Sequence, residues 1–219
     1  ATMPRIFLKA RDPISSYTHF IGAWLSVIGL VVMGVHLAVT PGVTAVTAVS
    51  CILFCLSLIA LYCASSIYHF TNAAAKIQTA LRKLDHAMIY VLIAGTYTPL
   101  LLTLLPRPNN LIFTAAMWAV AAAGILMKMF WLGAPRWLST TLYILMGWAI
   151  AVDLPAVGAL PLPGIVLLVA GGLAYTVGGV IYMVKRPNLS ERFGFHEIFH
   201  LFVIAGSVCH YLMVLLYIV

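Results

Sequence analysis

The sequence predicts an all-α integral membrane bundle of seven transmembrane helices, and three observations carry that expectation. Hydrophobic residues make up 63% of the 219 positions and charged residues only 8%, against about 25% charge in soluble domains. The apolar residues gather into seven runs, each close to the roughly 20 residues that a bilayer-spanning helix needs. Most of the charges and prolines, and the paired turn residues, fall between those runs or at their ends.

The runs read as 18–39, 44–70, 85–105, 111–131, 136–155, 161–184 and 196–218. They are expected to be helices because a lipid-exposed backbone must satisfy its own hydrogen bonds, and they are too long and too unalternating for barrel strands. Pro41-Gly42, the Pro106 to Asn110 stretch, Gly133-Ala134-Pro135 and the segment from Pro155 to Pro163 supply the turns between them. In the sixth run, Gly171-Gly172 and Gly178-Gly179 recur on one face, where backbones can approach closely. One membrane domain over 1–219 is expected, with 1–17 as a short cytoplasmic segment. Ala1 and Thr2 read as residues added ahead of a native start at Met3.

Seven crossings also sort the charge. Eleven of the twelve Lys and Arg then fall on the side of the amino terminus: Arg5, Lys9, Arg11, Lys76, Arg82, Lys83, Lys128, Arg136, Lys185, Arg186 and Arg192. Arg107 alone falls on the other. The positive-inside rule places the amino terminus in the cytoplasm and the carboxyl terminus outside. The net charge of +7 is therefore read as topology, since no basic stripe with interleaved aromatics suggests nucleic acid. The four cysteines, Cys51, Cys55, Cys63 and Cys209, lie in apolar runs with no C-x-x-C pair, which argues against a disulfide framework or a thiolate zinc site.

Ionisable groups inside a membrane are costly and are functional candidates. His69 ends the second run, Asp85 and His86 begin the third, His196 and His200 begin the seventh, and His19 opens the first. Five histidines and an aspartate thus share one depth, at the cytoplasmic side. Ser65 and His69 are four apart, as are His196 and His200, so each pair lies on one helical face. Three neutral imidazoles suit zinc, and three protein ligands leave a fourth position open, as in catalytic sites. Two histidines with Asp85 would instead suit iron, but the sequence carries no oxygenase signal at this depth. His36, His86 and His210 read as helix-to-helix hydrogen-bonding partners.

The stretches Ser65-Ser66-Ile67-Tyr68-His69, Leu84-Asp85-His86-Ala87-Met88-Ile89-Tyr90 running on to Thr98-Pro99, and His196-Glu197-Ile198-Phe199-His200 resemble the hemolysin III branch of the progestin and adipoQ receptor family. The resemblance covers nearly the whole chain. It implies zinc held by His69, His196 and His200, as in the adiponectin receptors and alkaline ceramidases of the wider superfamily. It also implies Asp85 beside the water at the metal, as general base, and Ser65 beside the site, where it could stabilise an oxyanion. No counterpart of the animal receptors' long amino-terminal domain precedes the first run, so receptor signalling is not carried over.

The function expected is a zinc-dependent hydrolase of lipid amide or ester bonds in the cytoplasmic (inner) membrane, acting on a membrane lipid or fatty-acyl substrate and contributing to lipid homeostasis. The alternative is a non-catalytic sensor of lipid or membrane state with a structural zinc. A pore-forming hemolysin is less favoured, because no regular polar stripe runs through several of the runs.

Overall fold

In the computed structural model, residues 3–219 are described; Ala1 and Thr2, read above as an added segment, lie outside them. The described chain is helical throughout, with no strand. A 3₁₀ turn at Phe7–Lys9 leads into α1 (Pro13–Val39), followed by α2 (Ala45–Phe70), α3 (Ala75–Leu104), α4 (Asn109–Phe130), α5 (Arg136–Gly147), α6 (Leu154–Gly158), α7 (Leu162–Val184) and α8 (Phe195–Tyr217). Six of these, α1 to α4, α7 and α8, are long and apolar enough to cross a membrane.

Local chemistry sets several of the ends. Pro13 opens α1, where its missing N–H costs nothing. The Thr44 hydroxyl accepts from the Thr47 amide at 3.1 Å and caps α2. At the far end of α2 the carbonyls of His69 and Phe70 would be left without partners inside the helix. They accept instead from the amides of Asp12 and Arg11, at 3.0 and 3.3 Å. The segment before α1 is thereby tied across the end of α2. The helix α3 starts ten residues before the apolar run does, because Lys76 to Lys83 continue it beyond the apolar stretch. Charge marks where apolar sequence stops, and the backbone ladder does not stop there.

The fifth expected run, 136–155, is not one helix. It breaks at Trp148 into α5, a 3₁₀ turn at Ala149–Val152, and α6. The break is held by partners from other helices. The Tyr97 hydroxyl of α3 donates to the Gly147 carbonyl at 2.8 Å and accepts from the Ile150 amide at 3.0 Å. The Trp148 indole donates to the Thr176 hydroxyl of α7 at 2.8 Å. Asp153 then caps α6 by accepting from the Ala156 amide at 3.1 Å. Backbone groups freed by the break are satisfied within the bundle, as apolar surroundings require.

α3 is the most deeply buried of the long helices, and it packs between α2 and α4 while α8 packs on α7 and α1. Lipid is as apolar as leucine, so such contacts rest on close packing rather than on hydrophobic transfer. The expected glycine face of the sixth run, now α7, meets that requirement. A Cβ at Gly171 would overlap the His210 ring of α8, and one at Gly178 would lie 2.9 Å from Phe202 Cβ. Both glycines let α7 seat α8, the helix that carries His196 and His200.

Candidate metal centre and cavity

His69 lies in the last turn of α2, while His196 and His200 lie in the first two turns of α8. One ligand nitrogen from each falls within 4.8 Å of the other two. The Nε2 atoms of His69 and His196 are 3.1 Å apart. Two imidazole nitrogens sharing a tetrahedral zinc at 2.0–2.1 Å would stand about 3.3 Å apart, so this spacing suits a shared ion.

The outer nitrogens are already engaged. Nδ1 of His69 donates to Asp12 Oδ2 at 2.9 Å, and an ionised carboxylate only accepts, which assigns the proton to Nδ1 and leaves the Nε2 lone pair free. Nδ1 of His200 donates to the Ser15 carbonyl at 3.3 Å, with the same result. Carboxylate and carbonyl partners of this kind orient metal-binding histidines and raise their basicity. Burial pushes the Asp12 carboxyl up, but its hydrogen bonds with His69 and Arg11 outweigh this and bring it down to about 2. Arg11 grips the same oxygen at 2.7 and 2.9 Å. On the other flank, Glu197 accepts from the Ser15 hydroxyl at 2.7 Å and from the Gly194 amide at 2.9 Å, fixing the start of α8 against α1.

Three imidazoles with two oriented nitrogens and no thiolate nearby fit a borderline cation such as zinc better than a hard one. His19 stacks on His200 with ring centres 3.5 Å apart; both its nitrogens are buried without a partner, and it is not one of the grouped ligands.

A cavity of about 150 Å³ opens beside the histidines and runs along α3 between α5, α7 and α8. Ser65, Asp85, His196 and His200 line its polar end, while Ile93, Trp148, Gly172 and His210 line its depth. His69 does not enter the wall; its ring packs behind those of His196 and His200, at 4.9 and 5.0 Å. Asp85 is not spent on Arg82, because among the described residues the only ion pairs are those of Asp12 with Arg11 and His69. Ser65, Asp85, His86, His196, His200 and His19 thus line one cavity with His69 packed behind it, whereas His36, in the last turn of α1, is not part of that wall. His210 matches its expected part as a link between helices, donating through Nε2 to the Leu168 carbonyl of α7 at 3.1 Å. His86 lines the cavity instead. Sequence reasoning missed Asp12 and Ser15, which hydrogen-bond to His69 and His200; the one available signal was an acidic residue just ahead of the first apolar run.

The fold and site define a helical integral membrane protein with a buried three-histidine centre at one end of its bundle. The family model described as haemolysin-III related matches residues 7–211, and the chain belongs to that family. It is 37% identical to the Hemolysin-3 of Bacillus cereus over 218 residues, covering 99% of this chain and 96% of the relative. It is 35% identical to the Hemolysin-3 homolog of Bacillus subtilis (strain 168) over 213 residues, covering 97% and 96%.

Proposed function

We propose that this protein is a zinc-dependent hydrolase of a lipid amide or ester bond. The observation that carries the reading is the juxtaposition of the three histidines with an unpaired carboxylate, Asp85, beside a cavity that also presents the apolar side chains of Ile89, Leu92 and Ile93. His69, His196 and His200 would hold the zinc. When bound, zinc would supply a Lewis acid and acidify water to near neutrality.

The chain's own residues would do the rest. Asp85 takes a proton from water as the water oxygen bonds to the acyl carbon. The Ser65 hydroxyl donates to the carbonyl oxygen as charge develops there. When the bond to the leaving nitrogen or oxygen breaks, Asp85 returns the proton to that atom, so a free acid and a free amine or alcohol result. Ile89, Leu92 and Ile93 of α3 would hold the acyl chain.

We further place the site at the cytoplasmic face of the inner membrane, with 136–160 crossing as an interrupted fifth span. The support is connectivity. Arg136, which opens α5, lies over the rings of Tyr182 and Phe195 at 4.9 and 5.7 Å, beside the histidines. Leu162, which opens α7, must lie at the opposite end, because α7 returns to the histidines at Tyr182. Seven crossings also keep eleven of the twelve Lys and Arg on one side.

The test is direct. Purified, zinc-loaded protein is incubated with a panel of lipid amides and esters. Fatty acid should appear with the native chain and not with Asp85→Asn; no release from any member, alongside an active control enzyme, overturns the reading.

A further inference from the structure

We infer that the cavity wall beside the histidines binds a phosphomonoester headgroup through Lys128, Arg82, Arg136 and Thr140. The inference deepens the hydrolase reading by naming a substrate class, and rests on it only for the placement of an acyl chain in the cavity.

Three cations line this cavity against one carboxylate, Asp85. None of the three forms an ion pair among the described residues. Lys128 is the most telling, since it is only 3% exposed and so does not snorkel to water. Its ammonium donates to the Ser139 hydroxyl, and an ammonium has three donors to place. Arg136 Nη1 and Thr140 Oγ1 are both buried without a hydrogen-bond partner. They lie four residues apart, one turn along α5, and both face the same cavity. Arg82 joins them from α3. A buried charge is expensive unless paired, and here donors from three helices converge on one space without forming an ion pair with the protein.

Charge favours a multiply charged anion. Three cations less Asp85 leave a surplus of about two before any bound metal is counted, so the −1.5 to −2 of a phosphomonoester near neutral pH answers it better than the single charge of a fatty-acid carboxylate or a phosphodiester. Guanidinium forks and an ammonium also suit phosphate oxygens. Arg136 reaches across Tyr182, whose ring centre is 5.9 Å from that of His196, so a headgroup held here sits next to the metal site.

The phosphate could come from a lipid or from a soluble phosphate compound, and binding measurements separate the two. Native chain in lipid nanodiscs is titrated with phosphatidic acid, phosphatidylglycerol and diacylglycerol of the same acyl chains, with and without inorganic phosphate as competitor. Phosphatidic acid should bind at least about tenfold tighter than either other lipid, the scale of one charge-assisted hydrogen bond. Arg136→Gln, at a part-exposed position, should remove about tenfold of that preference and leave diacylglycerol binding unchanged; Lys128→Gln should do the same, and Arg136→Lys should restore part of it. Competition by millimolar inorganic phosphate would assign the site to a soluble phosphate compound, and its absence to the lipid. Equal binding of phosphatidic acid and diacylglycerol, with no effect of phosphate, or variants that leave the preference intact, would overturn the inference. Because none of these readings requires turnover, failure of the hydrolase reading would leave them standing.

Discussion

The Asp12 carboxylate accepts a hydrogen bond from Nδ1 of His69 at 2.9 Å, across 57 residues of sequence. That contact fixes the tautomer and the ring plane of one of the three grouped histidines, from a segment that precedes the first membrane helix. Replacing Asp12 with Asn keeps the size and removes the charge. Zinc affinity should then fall about 10- to 100-fold, the usual cost of losing such a partner. Competition with a chromophoric chelator measures it.

Removing ligands has a larger effect than removing their support. The His196→Ala/His200→Ala double variant should purify without stoichiometric zinc, whereas the native chain should carry one ion. Elemental analysis of the two preparations decides this, and equal zinc in both would exclude the centre. Added zinc should raise the melting temperature of the native chain and leave the double variant unmoved, because only a folded state that binds an ion gains from it.

Asp85 separates catalysis from scaffolding. Asp85→Asn should retain zinc and melting temperature while slowing lipid hydrolysis about 10²- to 10⁴-fold, the range for loss of a general base. A structural-zinc sensor would show the reverse, with a change in stability and no turnover in either protein.

The seat of α8 on α7 can be tested from a glycine. Gly171→Ala places a methyl group in the His210 ring, and overpacking of this kind costs about 1–3 kcal/mol. The melting temperature in detergent should fall. Adding His210→Ala in the same chain should recover part of the loss, since the smaller side chain vacates the space.

Tyr97→Phe should loosen the break in the fifth segment. It leaves the Ile150 amide and the Gly147 carbonyl without the hydroxyl that serves both, at a cost of about 1–3 kcal/mol. Hydrogen exchange at Ile150 should accelerate, while amides in the middle of α2 stay protected.

The grouping of His69, His196 and His200 was legible because it obeys helical spacing. His196 and His200 share a face by their separation of four, and the parity of the seven expected crossings predicts His69 at the same end, where it lies. The broken fifth segment was not legible from hydropathy. Residues 142–152 read as one apolar stretch through the break, and what stabilises it is Tyr97 and Trp148 bonded to groups on other parts of the chain. Asp12 was hidden for a similar reason. It sits outside any periodic run, and its meaning comes from a contact that only the assembled bundle creates. The charge cluster around Lys128 and Arg136 was visible residue by residue, but it counted only toward topology until the cavity joined its members.

Asp12 binds twice at the end of α2, by its amide to the His69 carbonyl and by its carboxylate to the His69 ring. If the three histidines hold an ion, order in the leading segment and retention of that ion would be thermodynamically linked: whatever tightens one must tighten the other by the same free energy. A protease able to cut near Arg11 should consequently report on metal occupancy from outside the membrane, cleaving the stripped protein faster than the loaded one.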